Sequence, residues 1–135
     1  MNSVNQEHEM ACGLACVAYV ANTSYNEIAD KQSNVKLNKL GFICPELVNI
    51  LKDLGFNYSW KKLSNKDSDK FNQGDIVFIE RSEQYSEGHF LAKKNDGWMD
   101  PWINLADKNS TISKAKSGFR EKLPGKAEYL VFKLS

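Results

Sequence analysis

At 135 residues the chain suits a single domain, residues 1–135, and is long enough to bury one substantial hydrophobic core. Its 18 basic and 17 acidic side chains leave a net charge of +1, which provides no field for steering onto nucleic acid or anionic lipid. No nucleic-acid partner is therefore expected, and the longest apolar run, residues 12–21, is about half the ~20 residues of a membrane-spanning helix, so no integral membrane segment is expected either.

Residues 1–7 lack the basic and apolar regions of a secretory signal. The expectation is a cytoplasmic location, delivery by a route that needs no signal, or excision from a longer protein. The three cysteines, Cys12, Cys16 and Cys44, have no framework spacing, so structural disulfides are not expected. His8, Cys12 and Cys16 lie close in sequence, but no completing pair of ligands accompanies them, and no metal or other cofactor is expected.

The first helix is predicted over residues 11–21, where Leu14, Val17, Ala18 and Ala21 recur at helical spacing and Ala15, Cys16 and Val20 widen the apolar surface. Ser24 and Glu27 have capping-box spacing and predict a short second helix through Ile28 and Ala29. Residues 40–44 read as a connecting loop. Pro45 then suits a first helical position, and Leu47, Val48, Ile50, Leu51 and Leu54 form the apolar face of a third helix ending at Gly55.

From residue 57 the period changes to that of strands. Tyr58 and Trp60 alternate with polar residues, and residues 64–70 read as a polar surface loop. Residues 75–80 form a short apolar run after Gly74, as in a central strand, and residues 81–87 read as a polar loop. Residues 89–92 and 98–102 flank Asn95-Asp96-Gly97 and predict a β-hairpin. A polar segment with helical character over residues 112–120 and a closing strand over 128–134 complete the chain. Helices first and an antiparallel sheet afterwards define an α+β fold.

A thiol reacts as its thiolate, a form favoured by the unpaired amides at a helix N-terminus, and Cys12 opens the first predicted helix. Gly13 is expected to let a substrate carbonyl approach the backbone. An imidazole would hold the thiol proton and pass it to a leaving amine, while a third group fixes the ring. If the hairpin pairs symmetrically about Asn95 and Asp96, His89 and Asp100 are near neighbours across the strands, a placement compatible with a hydrogen bond. The Gln6 side-chain amide could donate to an oxyanion beside the Cys12 N–H, provided residues 7–11 form a tight loop.

In this ordered set the chain resembles the bacteriocin-processing cysteine peptidases, papain-like domains that clip leader peptides after a double glycine. Gln6, Cys12, Gly13 and Ala15 match the opening motif of that family, Leu54-Gly55 its helix end, His89-Phe90-Leu91 its histidine segment and Asp100-Pro101 its closing Asp-Pro. The resemblance implies a papain-like fold with N-terminal helices packed on an antiparallel sheet. It also implies Cys12 as nucleophile, His89 as base, Asp100 as its orienter and Gln6 as oxyanion donor. Met10-Ala11 stand where the family commonly has an acidic residue before Cys-Gly, which leaves the substrate open.

The expected function is hydrolysis of a peptide or amide bond through a thioester, with a peptide or protein substrate. A transporter or a cognate inhibitor or immunity protein would be a further partner. Two other readings remain at this level: a toxin or effector using the same triad for deamidation or proteolysis, and a catalytically inactive peptide-binding module of the same fold. Cys16 and Cys44 read as small core residues. His8 reads as a solvated loop residue, Phe90, Trp98 and Trp102 as core or cleft wall, and the pairs Lys61-Lys62 and Lys93-Lys94 as solvated strand ends.

Overall fold

Helix α1 (Cys12–Ala21) is apolar around most of its circumference, and its Leu14, Ala15, Cys16, Val17 and Ala18 have no exposed surface. This is seen in a computed structural model that describes residues 2–64 and 70–134; residues 65–69 of the expected polar loop lie outside the described residues. The helix stops at Asn22, whose left-handed backbone (φ 54°) turns its N–H back to the carbonyls of Ala18 and Tyr19. Helix α2 (Tyr25–Ala29) starts where the Ser24–Glu27 spacing predicts, with Ser24 Oγ accepting the Glu27 N–H at 3.2 Å.

A π-helical turn, Lys36–Leu40, was not foreseen from the sequence. It overlaps the start of the expected loop and buries only Leu37, too short a signal for periodicity to register. Helix α3 (Cys44–Asp53) then places Leu47 and Leu51 in the core, with Pro45 in its first turn.

Six strands follow: β1 (Tyr58–Lys62), β2 (Ile76–Ile79), β3 (His89–Lys94), β4 (Gly97–Asp100), β5 (Gly118–Arg120) and β6 (Ala127–Lys133). They form one sheet in the order β1-β6-β2-β3-β4-β5, every neighbour antiparallel. The β3–β4 hairpin turns on Asn95 and Asp96, with Lys94 opposite Gly97 and Ala92 opposite Met99. Strand β4 ends at Asp100, short of the predicted Trp102, because Pro101 brings no N–H to the ladder.

The segment expected to be helical over residues 112–120 is instead a short 3₁₀ turn, Ile112–Lys114, followed by β5. Pairing of Trp98 with Arg120, Met99 with Phe119 and Asp100 with Gly118 completes the free edge of β4, and that long-range ladder overrides local propensity.

The sheet carries apolar side chains on both faces. Ile76, Phe90, Ala92, Met99 and Val131 pack with α1 and α3, whereas Val77, Ile79, Leu91, Trp98 and Leu130 form a second cluster with loop residues such as Tyr85, Phe71 and Leu105. Gly13 faces the first core: a Cβ there would lie 3.1 Å from the Leu47 methyls and 3.2 Å from the Phe90 ring. Glycine here allows close packing of α1 against α3 and β3.

Candidate active site

Cys12 is the first residue of α1 and is half-buried. Its N-cap, Ala11, has no side-chain oxygen to offer, no described side chain caps the helix, and the first turn contains no acid. The opening amides of α1 are thus left to whatever occupies the space before them. The segment leading into the helix is tied down on three sides. Gln6 N–H donates to Pro101 O (3.3 Å), Met10 N–H to Leu37 O in the π-helical turn (2.9 Å), and Ala11 N–H to His8 O (3.3 Å).

That tight turn buries Gln6, which retains 2% of its surface. Its Nε2 donates to His8 O at 3.0 Å and to Glu9 O at 3.2 Å, while its buried Oε1 has no partner among the described residues. Both amide hydrogens therefore serve the turn, so donation to an oxyanion requires exchange of one contact, the longer one to Glu9 being the weaker. His8, expected to be solvated, is partly buried: its Nδ1 is 2.8 Å from the Tyr25 hydroxyl, and the two rings stack.

His89 opens β3 directly after Gly88, which adopts φ 70° under the Phe78 ring. A Cβ on Gly88 would stand 2.1 Å from Phe78 Cζ, so only glycine lets the chain enter β3 here. Continued one residue beyond its last pair, Ala92 with Met99, the hairpin register sets Leu91 across from Asp100, and side-chain alternation then brings His89 and Asp100 to one face as diagonal neighbours. Their side chains meet with Nε2 and Oδ1 2.6 Å apart. This leaves Nδ1 as the ring nitrogen not engaged by Asp100, and the Cys12 thiol lines the same cleft as the imidazole and acts on its charge. The structure thus brings Cys12, His89 and Asp100 together, with Gln6 on the same cleft.

Asp100 is fully buried, and each of its oxygens is satisfied. Oδ1 also accepts the Trp102 N–H at 2.9 Å, and Oδ2 accepts Arg120 Nε at 2.7 Å. Burial alone would raise this carboxyl, but His89, Arg120 and the Trp102 amide hold it below its ordinary value. Burial likewise pulls the His89 imidazole down. Hydrogen bonds to Asp100 and Cys12, together with the charges of both, overcome that effect and lift it from 6.5 to about 9. These interactions favour the imidazolium form of a ring that has a sulfur on the cleft side and a carboxylate behind it.

The cleft holding these groups has a volume of about 120 Å³; Gln6, Cys12, Tyr85, His89, Trp102 and Leu105 are among the residues lining it. Tyr85 is buried and stacks on His89, with ring centroids 5.4 Å apart and planes inclined by 24°. Sequence reasoning passed over both Tyr85 and Arg120. Tyr85 is the one aromatic residue in a polar loop, a signal that could have marked it; Arg120 had no local signal at all. A separate apolar groove of about 290 Å³ opens between the start of α3 and the sheet, lined by Phe42, Cys44, Trp60, Phe78, Phe90 and Tyr129 among others. Among the described residues, no three His, Cys, Asp or Glu side chains converge as a metal site.

An imidazolium set between a thiol and a carboxylate is suited to acyl transfer by nucleophilic catalysis. No described helix is long and apolar enough to cross a membrane. No curated protein matches the chain. Residues 1–121, which include Cys12, His89, Asp100 and Gln6, match the Peptidase C39 family. The chain belongs to this family of bacteriocin-processing cysteine peptidases, and its six-stranded antiparallel sheet with N-terminal helices is the α+β, papain-like arrangement expected from the sequence.

Proposed function

We propose that this chain hydrolyses a peptide bond through a Cys12–His89–Asp100 triad, with a peptide or protein segment as substrate. The observation that carries the reading is the His89 ring held at 2.6 Å by Asp100 while its other nitrogen is left to the Cys12 sulfur, inside a cleft. Cys12, as thiolate, attacks the scissile carbonyl carbon, and the carbonyl electron pair moves to oxygen. The resulting oxyanion is met by the Cys12 N–H and by the Gln6 amide once it gives up its contact to Glu9. The His89 imidazolium gives its proton to the leaving amine, the C–N bond breaks, and a thioester remains on Cys12. Neutral His89 then takes a proton from water as its oxygen attacks the thioester. Collapse releases the carboxylic acid product and restores the thiolate–imidazolium pair. Asp100 keeps the ring oriented and stabilises its charge throughout. A transporter or a cognate inhibitor belongs to the same proposal as a further partner.

The test is turnover of a peptide library by wild type and Cys12→Ala, read by mass spectrometry alongside thermal unfolding. Cleavage by wild type and its loss in Cys12→Ala, with nearly unchanged Tm, is the expected result. A wild type that binds peptides without cutting them would instead identify a binding module. Strong destabilisation of Cys12→Ala would assign the thiol to packing.

A further inference from the structure

We propose that Arg120 is a positioning residue that fixes the His89 imidazole through two of its neighbours, Asp100 and Tyr85; this rests on the triad reading above.

An imidazole that passes protons between a sulfur and an amine must be fixed in two respects. Its rotation sets which nitrogen meets the sulfur, and its tilt sets the distance. Asp100 Oδ1 controls the first through its 2.6 Å contact with Nε2, and Tyr85 controls the second by stacking on the ring. Neither restraint is secure by itself. A carboxylate bound at only one oxygen can swing about its own torsion, and Tyr85 sits in the loop before β3, not in a strand.

Arg120 ties the two together. Its Nε donates to Asp100 Oδ2 at 2.7 Å, and one terminal amino group donates to the Tyr85 hydroxyl at 3.3 Å and to Ile103 O at 2.8 Å. A planar guanidinium holds these acceptors at fixed angles, which a lysine ammonium on a flexible stem does not. The strand register explains the placement. Arg120 pairs with Trp98, so it is diagonal to Asp100 on β4, as Asp100 is diagonal to His89 on β3. Three successive strands thus present imidazole, carboxylate and guanidinium on one face. Charge supports the same assignment. With the proposed thiolate–imidazolium pair formed, Arg120 balances Asp100 and leaves the four groups with no net charge. Arg120 does not line the cleft, so its influence there passes through the groups it holds, Asp100 behind the ring and Tyr85 against it.

The test compares wild type, Arg120→Ala, Arg120→Lys and Tyr85→Phe in the full chain, reading kcat, KM and the low-field proton resonance of the His89 Nε2–H. Arg120→Ala should lower kcat about 10- to 100-fold with KM within about twofold. The ring proton should broaden and exchange faster with water. Arg120→Lys, which keeps the charge, should restore less than half of the lost rate, and Tyr85→Phe should cost about two- to fivefold, because it removes one tether and keeps the stack. An unchanged ring resonance in Arg120→Lys and Tyr85→Phe, whatever their stability, would overturn the assignment, as would wild-type kcat in Arg120→Ala. Absence of turnover in wild type would instead sink the peptidase reading, and the ring resonance would still decide the role of Arg120.

Discussion

Cys12 opens α1 and Cys44 opens α3, yet the two thiols stand in opposite surroundings. At the start of α3, Glu46 accepts the Ile43 N–H at 2.9 Å and pairs with Lys36, so an acid already answers the helix end. Cys44 lies in an aromatic groove with no carboxylate, imidazole or ammonium lining it, and burial pushes its thiol up to about 11. At the start of α1 no described side chain caps the helix, and the thiol faces an imidazolium and the buried Gln6. A helix N-terminus alone therefore does not make a reactive cysteine. The partners in front of it do.

Asp100→Asn should show the largest effect beyond removal of Cys12 itself. Loss of the carboxylate behind the ring is expected to lower kcat by about 10²- to 10⁴-fold. The same variant should change the pH profile. In the proposed mechanism the wild-type imidazolium, raised to about 9, supports turnover at neutral pH and is lost as pH rises through that value. Its ion pair with Asp100 stabilises the fold in the same sense, fully present below pH 6.5 as long as Asp100 stays ionised, and vanishing as pH rises through about 9. Without the carboxylate, the alkaline limb should move to lower pH. A limb that stays near 9 in the variant would show that Asp100 does not hold the ring.

Gln6→Ala should be next, lowering kcat by about 10²-fold if the amide meets the oxyanion after releasing Glu9. A loss in thermal stability with unchanged kcat would confine Gln6 to holding the turn before Cys12. On the other side of the comparison, Cys44→Ala should leave turnover intact and cost about 1 kcal/mol of stability, measured by denaturant unfolding. Loss of turnover in that variant would erase the distinction between the two thiols.

The parts of this molecule written in short stretches of sequence were legible. Leu14, Val17 and Ala18 announce α1, Leu47 and Leu51 announce α3, Ser24 marks the start of α2, and Asn95-Asp96-Gly97 sets the hairpin whose register brings His89 to Asp100. The unread parts depend on distant partners. Residues 118–120 become a strand only because β4 has a free edge, and Arg120 gains its role only once Asp100 is buried with a second oxygen to satisfy. The turn at 36–40 matters because Leu37 O receives Met10 N–H and so braces the approach to Cys12. Gly13 has a packing role that local sequence did not show, since Leu47 and Phe90 occupy the space a side chain would need.

The central claim is that the Cys12 sulfur and the His89 imidazole work as a pair. Site-resolved alkylation by iodoacetamide near neutral pH tests it most directly, with the three cysteines read separately by mass spectrometry. Cys12 should be modified well ahead of Cys16 and Cys44, both buried and both raised by burial, and that lead should shrink in His89→Ala. Labelling of all three at the same rate, or a lead for Cys12 that persists unchanged without His89, would contradict the account.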